Sequence, residues 1–267
     1  DVRFKLNNLQ SLSFYFPELI LTIIILVAII YDLFIDKSKS YKIGWILTIG
    51  LLIVSFSIWK QGSVVTTLFT DVIVLDPFAS FFKQIIILAT ILVTIVSLNS
   101  DELVQYRKGE YFSLIGILTF GLFMMVSAID LIVLYISIEI VSIMSFVLAG
   151  YLKKDSFSNE ASLKYVLYGA LSSGVMLFGF SYIFGLTGST NYFVIQNSIA
   201  NFDKAANTAL LLSMIMILAG FGYKISAVPF HFWTPDVYQG SPTAITAYLS
   251  IAPKAGAFAM MIRFFNQ

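Results

Sequence analysis

The chain has 267 residues, of which 58% are hydrophobic and 12% are charged, and its mean hydropathy is +0.89. This composition is typical of an integral membrane protein and is far from that of an ordinary soluble domain. The net charge of +1 gives no basis for nucleic-acid binding, and the absence of cysteine excludes disulfides, thiolate metal sites and cysteine-ligated clusters. With a single histidine, a bound transition metal is not expected either.

Apolar runs of roughly 20 residues, the length needed to cross about 30 Å of hydrocarbon, predict eight transmembrane helices. In chain order they lie at about 17–36, 41–60, 76–98, 111–128, 131–152, 160–186, 205–228 and 242–265. Polar connections join them, and the two longest lie at about 61–75 and 187–204. No connection resembles an interdomain linker, so we expect a single all-α transmembrane domain over residues 1–267.

Basic residues flank the predicted helices unequally. One side of the membrane receives seven of them, namely Lys37, Lys39, Lys42, Arg107, Lys108, Lys153 and Lys154. The other side receives four, namely Arg3, Lys5, Lys60 and Lys204. Because basic residues are enriched in loops that stay on the inner side, the larger group is predicted to face the cytoplasm or the mitochondrial matrix.

Four basic residues inside the predicted helices differ in their surroundings. Lys83 and Arg263 lie towards helix ends, so we expect both side chains to extend to the membrane interface. Lys224 and Lys254 lie in long apolar stretches, where a charged residue at the membrane centre costs roughly 2.5–3.5 kcal/mol. Such residues normally face a hydrated cavity or a charged partner, although a purely structural ion pair is an alternative.

Glu139 is the predicted partner, because it is the only Asp or Glu in the apolar helix at 131–152. Lys164 lies one turn into the next predicted helix, where its side chain can approach Glu139 or extend to the interface. Buried groups that also feel an opposite charge can change protonation near neutral pH, as a proton relay requires. We therefore predict a relay of Glu139, Lys164, Lys224 and Lys254.

Two prolines are predicted to break the seventh helix. Pro229 and Pro235 cannot donate backbone hydrogen bonds, and polar residues lie between and after them. Broken helices at membrane depth occur where they are buried in protein or line a cavity, and Lys224 precedes Pro229 by five residues. His231 is a candidate accessory residue in this segment, with a hydrogen-bonded structural role as the alternative.

A third proline lies directly before the lysine of the eighth predicted helix. Pro253 removes the backbone hydrogen bond to the carbonyl of Leu249 and leaves that acceptor beside Lys254. We therefore expect a second local irregularity next to a charged group.

The stretch GYKISAVPFHFWTPDVYQGSPTAITAYLSIAPKAGAFA resembles the signature of the N chains of NADH–quinone oxidoreductases, called NADH dehydrogenase subunit 2 in mitochondria. These are antiporter-like subunits of respiratory complex I. The segments DPFASFFKQIIILATIL and ASLKYVLYGALSSGVMLFG resemble successive parts of the same family in the same order. The resemblance implies fourteen transmembrane helices, with three leading helices, here at about 17–98, before two inverted five-helix repeats. The first repeat would occupy about 111–265.

By this resemblance, Glu139 corresponds to the glutamate of the family's fifth helix. Lys164, Lys224 and Lys254 correspond to the lysines of its sixth, seventh and eighth helices. The second repeat, with its own lysine, would follow the last residue of this chain, so we expect either a subunit split into two polypeptides or a fragment.

The function implied by the resemblance is proton translocation coupled to NADH:quinone electron transfer. The chain would act as a non-redox membrane subunit of an H⁺-translocating NADH:ubiquinone oxidoreductase. A subunit of a cation/proton antiporter without redox coupling is the alternative, and a scaffold that only supports its assembly is a third possibility.

The same resemblance sets expectations for cofactors, partners and location. NAD, FMN, iron–sulfur clusters and quinone would be bound by other parts of the complex, with none bound by this chain. The partners would be lipid and other membrane-arm subunits, including a chain carrying the second repeat if the subunit is split, and no nucleic acid. The mitochondrial inner membrane is the favoured location, and a bacterial plasma membrane is the alternative.

Overall fold

Helices form most of the chain in the computed structural model, which describes residues 7–266 except residues 63 and 201. The α-helices are α1 (Asn8–Phe14), α2 (Phe16–Phe34), α3 (Lys42–Gln61), α4 (Pro77–Leu98), α5 (Lys108–Ser127), α6 (Leu131–Ala149), α7 (Ser156–Thr187), α8 (Tyr192–Ile199), α9 (Lys204–Ile225), α10 (Thr234–Gly240) and α11 (Thr243–Asn266). Short 3₁₀ helices occur at Lys37–Lys39 and Asp101–Leu103. Two strands, β1 (Thr66–Leu68) and β2 (Ile73–Leu75), pair as an antiparallel hairpin.

Eight helices in the described part of the chain are long and apolar enough to cross a membrane. They are α2, α3, α4, α5, α6, α7, α9 and α11, and their ends agree with the predicted ones to within about one helical turn. The predicted all-α polytopic fold is confirmed.

Aspartate side chains begin several of these helices. Asp76 caps α4 by accepting from the backbone N–H of Ala79 at 2.7 Å, with Pro77 in the first helical position. Asp130 caps α6, and Asp155 caps α7 in the same way. These caps satisfy backbone donors that would otherwise be free at the helix ends.

Helix α5 occupies the centre of the bundle and is the most buried of the eight spans. It packs against α2, α3, α4, α6 and α11. Tyr111, Phe112 and Leu118 are fully buried in these contacts. Helix α5 thus contacts both the predicted leading helices and other helices of the predicted repeat, so the bundle is continuous. The division into leading helices and a repeat stays a prediction.

One face of the bundle gathers the connections that carry the larger group of basic residues. Lys37 Nζ donates to the carbonyl of Gln105 at 2.7 Å, and the Tyr151 hydroxyl donates to the carbonyl of Arg107 at 2.6 Å. We call this the basic face, and the grouping agrees with the orientation prediction. Of the four basic residues predicted on the other side, Arg3 and Lys5 lie outside the described residues.

The opposite face is held together by backbone hydrogen bonds between its connections. Ile129 N donates to Val72 O at 3.1 Å, which joins the β-hairpin to the connection between α5 and α6. Leu131 N donates to Thr190 O at 2.9 Å, which adds the connection between α7 and α8. The hairpin and α8 occupy the two long connections that the sequence analysis left without structure.

Candidate functional site

Glu139 lies at the interface between α6 and α7 and is half-buried there. The hydroxyl of Ser173 on α7 donates to Glu139 Oε1, and the same hydroxyl lies 3.1 Å from the hydroxyl of Tyr135. Tyr135 precedes Glu139 by one helical turn, so both face α7. The carboxylate is therefore bound by the neutral hydroxyl of Ser173, which in turn contacts the hydroxyl of Tyr135.

Lys224, near the end of α9, reaches the same face of α6. Its Nζ donates to Ser142 Oγ, and Ser142 follows Glu139 by three residues, which places both on one side of the helix. Glu139 forms no direct ion pair with Lys224 in the described part of the chain, contrary to the predicted charge pair. Instead, Lys224 binds Ser142, which lies about one helical turn from Glu139 on α6.

Helix α9 ends at Ile225, earlier than the predicted end near residue 228. Ser226 adopts a left-handed backbone conformation with φ of 60°, and Ala227 N donates to Gly222 O at 2.8 Å, which closes the helix. Lys224 therefore lies in the last turn of α9 rather than in mid-helix, where a positive charge is favoured by the helix dipole.

The predicted break of the seventh span is confirmed, since turns separate α9 from α10; Pro229 lies in these turns, and Pro235 lies in the first turn of α10. Trp233 fixes the segment by stacking on Tyr165 of α7, with ring centroids 4.5 Å apart. Trp233 Nε1 also donates to the carbonyl of Tyr223 at 3.2 Å. An aromatic cluster thus anchors the broken segment between α7 and α9.

The broken segment carries buried polar atoms that have no hydrogen-bond partner among the described residues. These atoms are Ser226 Oγ, His231 Nδ1, Thr234 Oγ1 and Tyr238 Oη. Buried polar atoms in proteins are normally satisfied by other groups or by ordered water. The segment therefore offers sites at which water can bind, and the ring of His231 stacks on Phe232 at 5.1 Å beside them. The accessory role of His231 stays a prediction.

Lys254 faces the broken segment from α11. It is half-buried, and its Nζ lies 5.5 Å from the ring centroid of Tyr238 on α10. Pro253 is accommodated inside α11, which continues through it. Tyr238 was not among the predicted site residues, because nothing in the sequence shows how α10 folds back against α11.

Lys164 lies away from Glu139. Its Nζ forms ion pairs with Asp236 Oδ2 at 2.5 Å and with Glu160 Oε1 at 2.7 Å. Ser173, which holds Glu139, lies nine residues further along α7, a rise of about 13 Å. The predicted approach of Lys164 to Glu139 is therefore not found, and Asp236 is a partner that the sequence analysis did not identify.

Lys83 and Arg263 are buried inside the bundle, only 3% and 6% exposed, and their extension to the membrane interface stays a prediction. Lys83 Nζ lies 2.5 Å from Glu18 Oε1, and the two side chains are only 4% and 5% exposed. Arg263 makes two hydrogen bonds to the carboxylate of Asp76, at 2.8 and 2.9 Å. In both cases a counter-charge from another part of the bundle offsets the cost of burial.

Comparison with known proteins identifies relatives for the whole of this architecture. Residues 128–266 match the family described as the NADH:quinone oxidoreductase/Mrp antiporter transmembrane region. NADH-quinone oxidoreductase subunit N 2 of Chloroherpeton thalassium is 45% identical over 258 residues, which cover 95% of this chain and 50% of that protein. Subunit N of Chlorobium chlorochromatii is 41% identical over 257 residues, with the same coverage. The chain thus spans about half the length of these curated relatives.

Two solved structures share the fold. A chain of respiratory complex I from Thermus thermophilus superposes with a TM-score of 0.78 at 24% identity, covering 92% of this chain and 52% of that one. A chain of the membrane-bound sulfane sulfur reductase, an archaeal respiratory membrane complex, gives a TM-score of 0.79 at 23% identity, with 94% and 52% covered. At these identities the two structures show the fold alone.

Proposed function

The chain belongs to the NADH:quinone oxidoreductase/Mrp antiporter transmembrane family, and from this premise we propose that it carries part of a proton path in an NADH:quinone oxidoreductase. In this proposal it is an antiporter-like, non-redox membrane subunit. The named relatives are subunit N of that enzyme and match nearly the full length of this chain. About half of each relative's length lies outside the aligned residues, so the activity of the whole subunit is proposed, not shown, for this chain.

The observation that carries the proposal is a row of ionisable and hydroxyl groups inside an apolar bundle. Glu139 and Ser142 lie one helical turn apart on α6, Lys224 of α9 binds Ser142, and Lys254 of α11 faces Tyr238 of the segment that follows α9. Charged groups within a membrane are costly and normally mark a path for ions or protons. The charged residues Glu139, Lys224 and Lys254 lie on three different helices. This distribution suits stepwise proton transfer better than a single ion pair would.

The chemistry of these residues suits stepwise transfer. Lys224 is bound by a neutral hydroxyl, and Lys254 faces an aromatic ring, so neither is held by a direct carboxylate contact. A lysine in such surroundings can give up its proton, and its flexible side chain can turn towards a neighbouring acceptor.

A cation/proton antiporter subunit without redox coupling is the second candidate. The matched family includes Mrp antiporters as well as NADH:quinone oxidoreductases. Purification of the chain with its natural neighbours separates the two candidates. Co-migrating flavin and quinone-reductase activity support the oxidoreductase, and a complex without either supports the antiporter.

Cofactors and partners follow from the same proposal. NAD, FMN, iron–sulfur clusters and quinone are assigned to other subunits, which the absence of cysteine from the sequence supports for the clusters. The partners are membrane-arm subunits and lipid. The second half of the relatives, on this polypeptide or on another, is among the structures that this chain would contact.

The location is an energy-transducing membrane. The relatives named above are bacterial, which favours a bacterial plasma membrane over the mitochondrial inner membrane preferred from the sequence.

Arginine substitution tests the relay directly, because arginine keeps the positive charge but does not release its proton. We expect Lys224→Arg and Lys254→Arg to assemble normally and to translocate fewer protons per NADH oxidised. The alanine variants should be at least as impaired. The measurement is proton uptake by proteoliposomes, normalised to the amount of assembled complex.

A purely structural role gives a different pattern. The arginine variants of Lys224 and Lys254 would then lose less activity than the alanine variants. The loss in the alanine variants would appear chiefly as a smaller amount of assembled complex. A Lys224→Arg complex that translocates protons normally on this scale would refute the relay role of Lys224.

A further inference from the structure

A pocket on the basic face lies away from the residues of the proposed proton path. It opens where the start of α3 and the end of α4 meet the connection to α5, and its volume is about 690 Å³. This volume is within the range of small-molecule sites. Lys37 and Lys108 line the pocket, and none of the described residues that line it is acidic. The pocket therefore has the charge of an anion-binding site.

Both ammonium groups are held in place by backbone carbonyls. Lys37 Nζ donates to the carbonyl of Gln105, and Lys108 Nζ donates to that of Leu98, each at 2.7 Å. An ammonium group has three N–H donors, so each lysine keeps two of them for another acceptor. Neither lysine forms an ion pair within the described part of the chain. The carbonyl contacts orient the two groups without neutralising them.

The buried hydroxyl of Ser40 joins the two lysine segments. Ser40 Oγ donates to the carbonyl of Lys37 at 2.8 Å and accepts from the backbone N–H of Lys108 at 3.2 Å. The spacing of the two segments is thereby set before a ligand binds, which lowers the entropy cost of binding.

The acidic residues of the neighbouring 3₁₀ helix are placed beside the pocket but do not line it. The Glu102 carboxylate accepts from the backbone N–H and the hydroxyl of Thr243, at 3.0 and 2.7 Å, and so turns towards α11. Asp101 is close enough to Lys108 to attract its charge, but the two form no ion pair in the described residues. Asp101 therefore weakens the positive charge of the pocket without occupying it.

The rest of the lining is apolar and faces outward from the bundle. Trp45, Ile95 and Val104 line the same pocket and are 50%, 43% and 65% exposed. Because α3 and α4 are long and apolar enough to cross a membrane, these side chains lie where the hydrocarbon begins. Tryptophan is enriched at that level of a membrane. A soluble phosphate would leave this apolar side unused, whereas an acyl chain would cover it.

We propose that this pocket binds the phosphate group of an anionic phospholipid, with Lys37 and Lys108 on the phosphate and an acyl chain along Trp45 and Ile95. Basic pockets between transmembrane helices at the inner side of a membrane suit such headgroups. The bound lipid joins the ends of α3, α4 and α5. This site is separate from the proton path, and its test does not depend on that function.

The test places a photoreactive benzoylphenylalanine at position 41, because Tyr41 lines the pocket. The assembled complex is reconstituted in phosphatidylcholine vesicles with increasing amounts of phosphatidylglycerol, and crosslinked lipid is identified by mass spectrometry. We expect crosslinking to phosphatidylglycerol in preference to phosphatidylcholine. Removing either lysine charge, with Lys37→Gln or Lys108→Gln, should raise the phosphatidylglycerol needed for half-maximal crosslinking about five-fold.

Lys39→Gln is the matched control, because Lys39 lies two residues from Lys37 in the same 3₁₀ helix and does not line the pocket. It should remain close to wild type. Lys108→Arg keeps the charge and should keep the preference, and Asp101→Asn should strengthen it, because a neighbouring negative charge is removed.

Four results would overturn the inference. Equal losses for Lys37→Gln and Lys39→Gln would mean that only the general charge of the basic face attracts the lipid. Loss of the preference in Lys108→Arg would exclude a charge-based role for Lys108. Displacement of the crosslinked lipid by inorganic phosphate would assign the pocket to a soluble anion. Crosslinking to a neighbouring subunit in place of lipid would show that protein covers it.

Discussion

Buried and half-buried lysines in this bundle differ in what holds their charge. The ammonium of Lys83 contacts a carboxylate, whereas Lys224 contacts a hydroxyl and Lys254 faces a ring. A carboxylate contact favours the protonated form strongly, and a neutral contact does so weakly. Lys83 is therefore suited to holding helices together, and Lys224 and Lys254 are suited to exchanging protons.

Glu139→Gln tests the carboxylate with little change in shape. A glutamine oxygen can still accept the hydrogen bond from Ser173, so the contact between α6 and α7 should survive. The negative charge near Lys224 is lost, and we expect proton translocation to fall while the complex still assembles. The measurement is proton uptake per NADH in proteoliposomes, and wild-type coupling would show that Glu139 is only structural.

The pair formed by Lys83 and Glu18 predicts a loss of stability rather than of coupling. Lys83→Ala leaves a buried carboxylate without its counter-charge, which typically costs about 3–5 kcal/mol. The double variant Lys83→Met with Glu18→Gln removes both charges and should recover most of that loss. Thermal unfolding of the purified complex in detergent measures both, and equal losses in the two variants would contradict a charge-based explanation.

At the level of elements, α7 and α9 approach closely through small residues. A Cβ added at Gly179 would lie 2.9 Å from the carbonyl of Ser213 and 2.8 Å from Cγ1 of Ile217. Both helices carry site residues, Lys164 on α7 and Lys224 on α9, so their separation decides how the site is assembled.

Gly179→Val is therefore expected to push α7 and α9 apart, at a cost of about 1–3 kcal/mol for overpacking. Gly174 lies on the same helix and has open space around its Cβ position, so Gly174→Val is the matched control for helix propensity. We expect Gly179→Val to lower the stability and Gly174→Val to leave it nearly unchanged, as measured by thermal unfolding in detergent. Equal effects at both positions would mean that close packing is not the reason for Gly179.

The spans and the break could be predicted from sequence because each depends on local features. Apolar run length determines a span, and Pro229 lies in the break after α9 while Pro235 lies in the first turn of the short helix α10, as residues that cannot donate a backbone hydrogen bond favour. The hairpin between α3 and α4 gave no such signal, since its turn places Phe69, Thr70 and Asp71 in left-handed conformations without a glycine.

The partners of the charged residues were the least predictable part of the site. The pairing of Lys164 with Asp236 depends on how α10 packs against α7, and that of Lys83 with Glu18 depends on the position of α2 beside α4. Such contacts between distant segments are not specified by the pattern of either segment alone. The sequence therefore shows which residues could form the proposed relay, but it does not show which side chains contact one another.

The spans in the described part of the molecule have a largely apolar exterior. Most of the large exposed side chains on the spans are apolar, as expected for surfaces that face lipid. Glu160, Lys164 and Asp236 form a charged cluster on this exterior, and they are partly exposed together where α7 meets the broken segment. A charged cluster in this position requires either water or a protein neighbour beside it.

We expect this chain to occur in a complex with other membrane subunits. A protein neighbour beside Glu160, Lys164 and Asp236 would keep these charges out of contact with lipid. Solubilised in a mild detergent from its natural membrane, the chain should migrate on native gels well above the size of a monomer, with other membrane subunits in the same band. Flavin and quinone-reductase activity in that band would identify the oxidoreductase. A stable monomer without co-purifying membrane subunits would contradict both the proposed assembly and the function that depends on it.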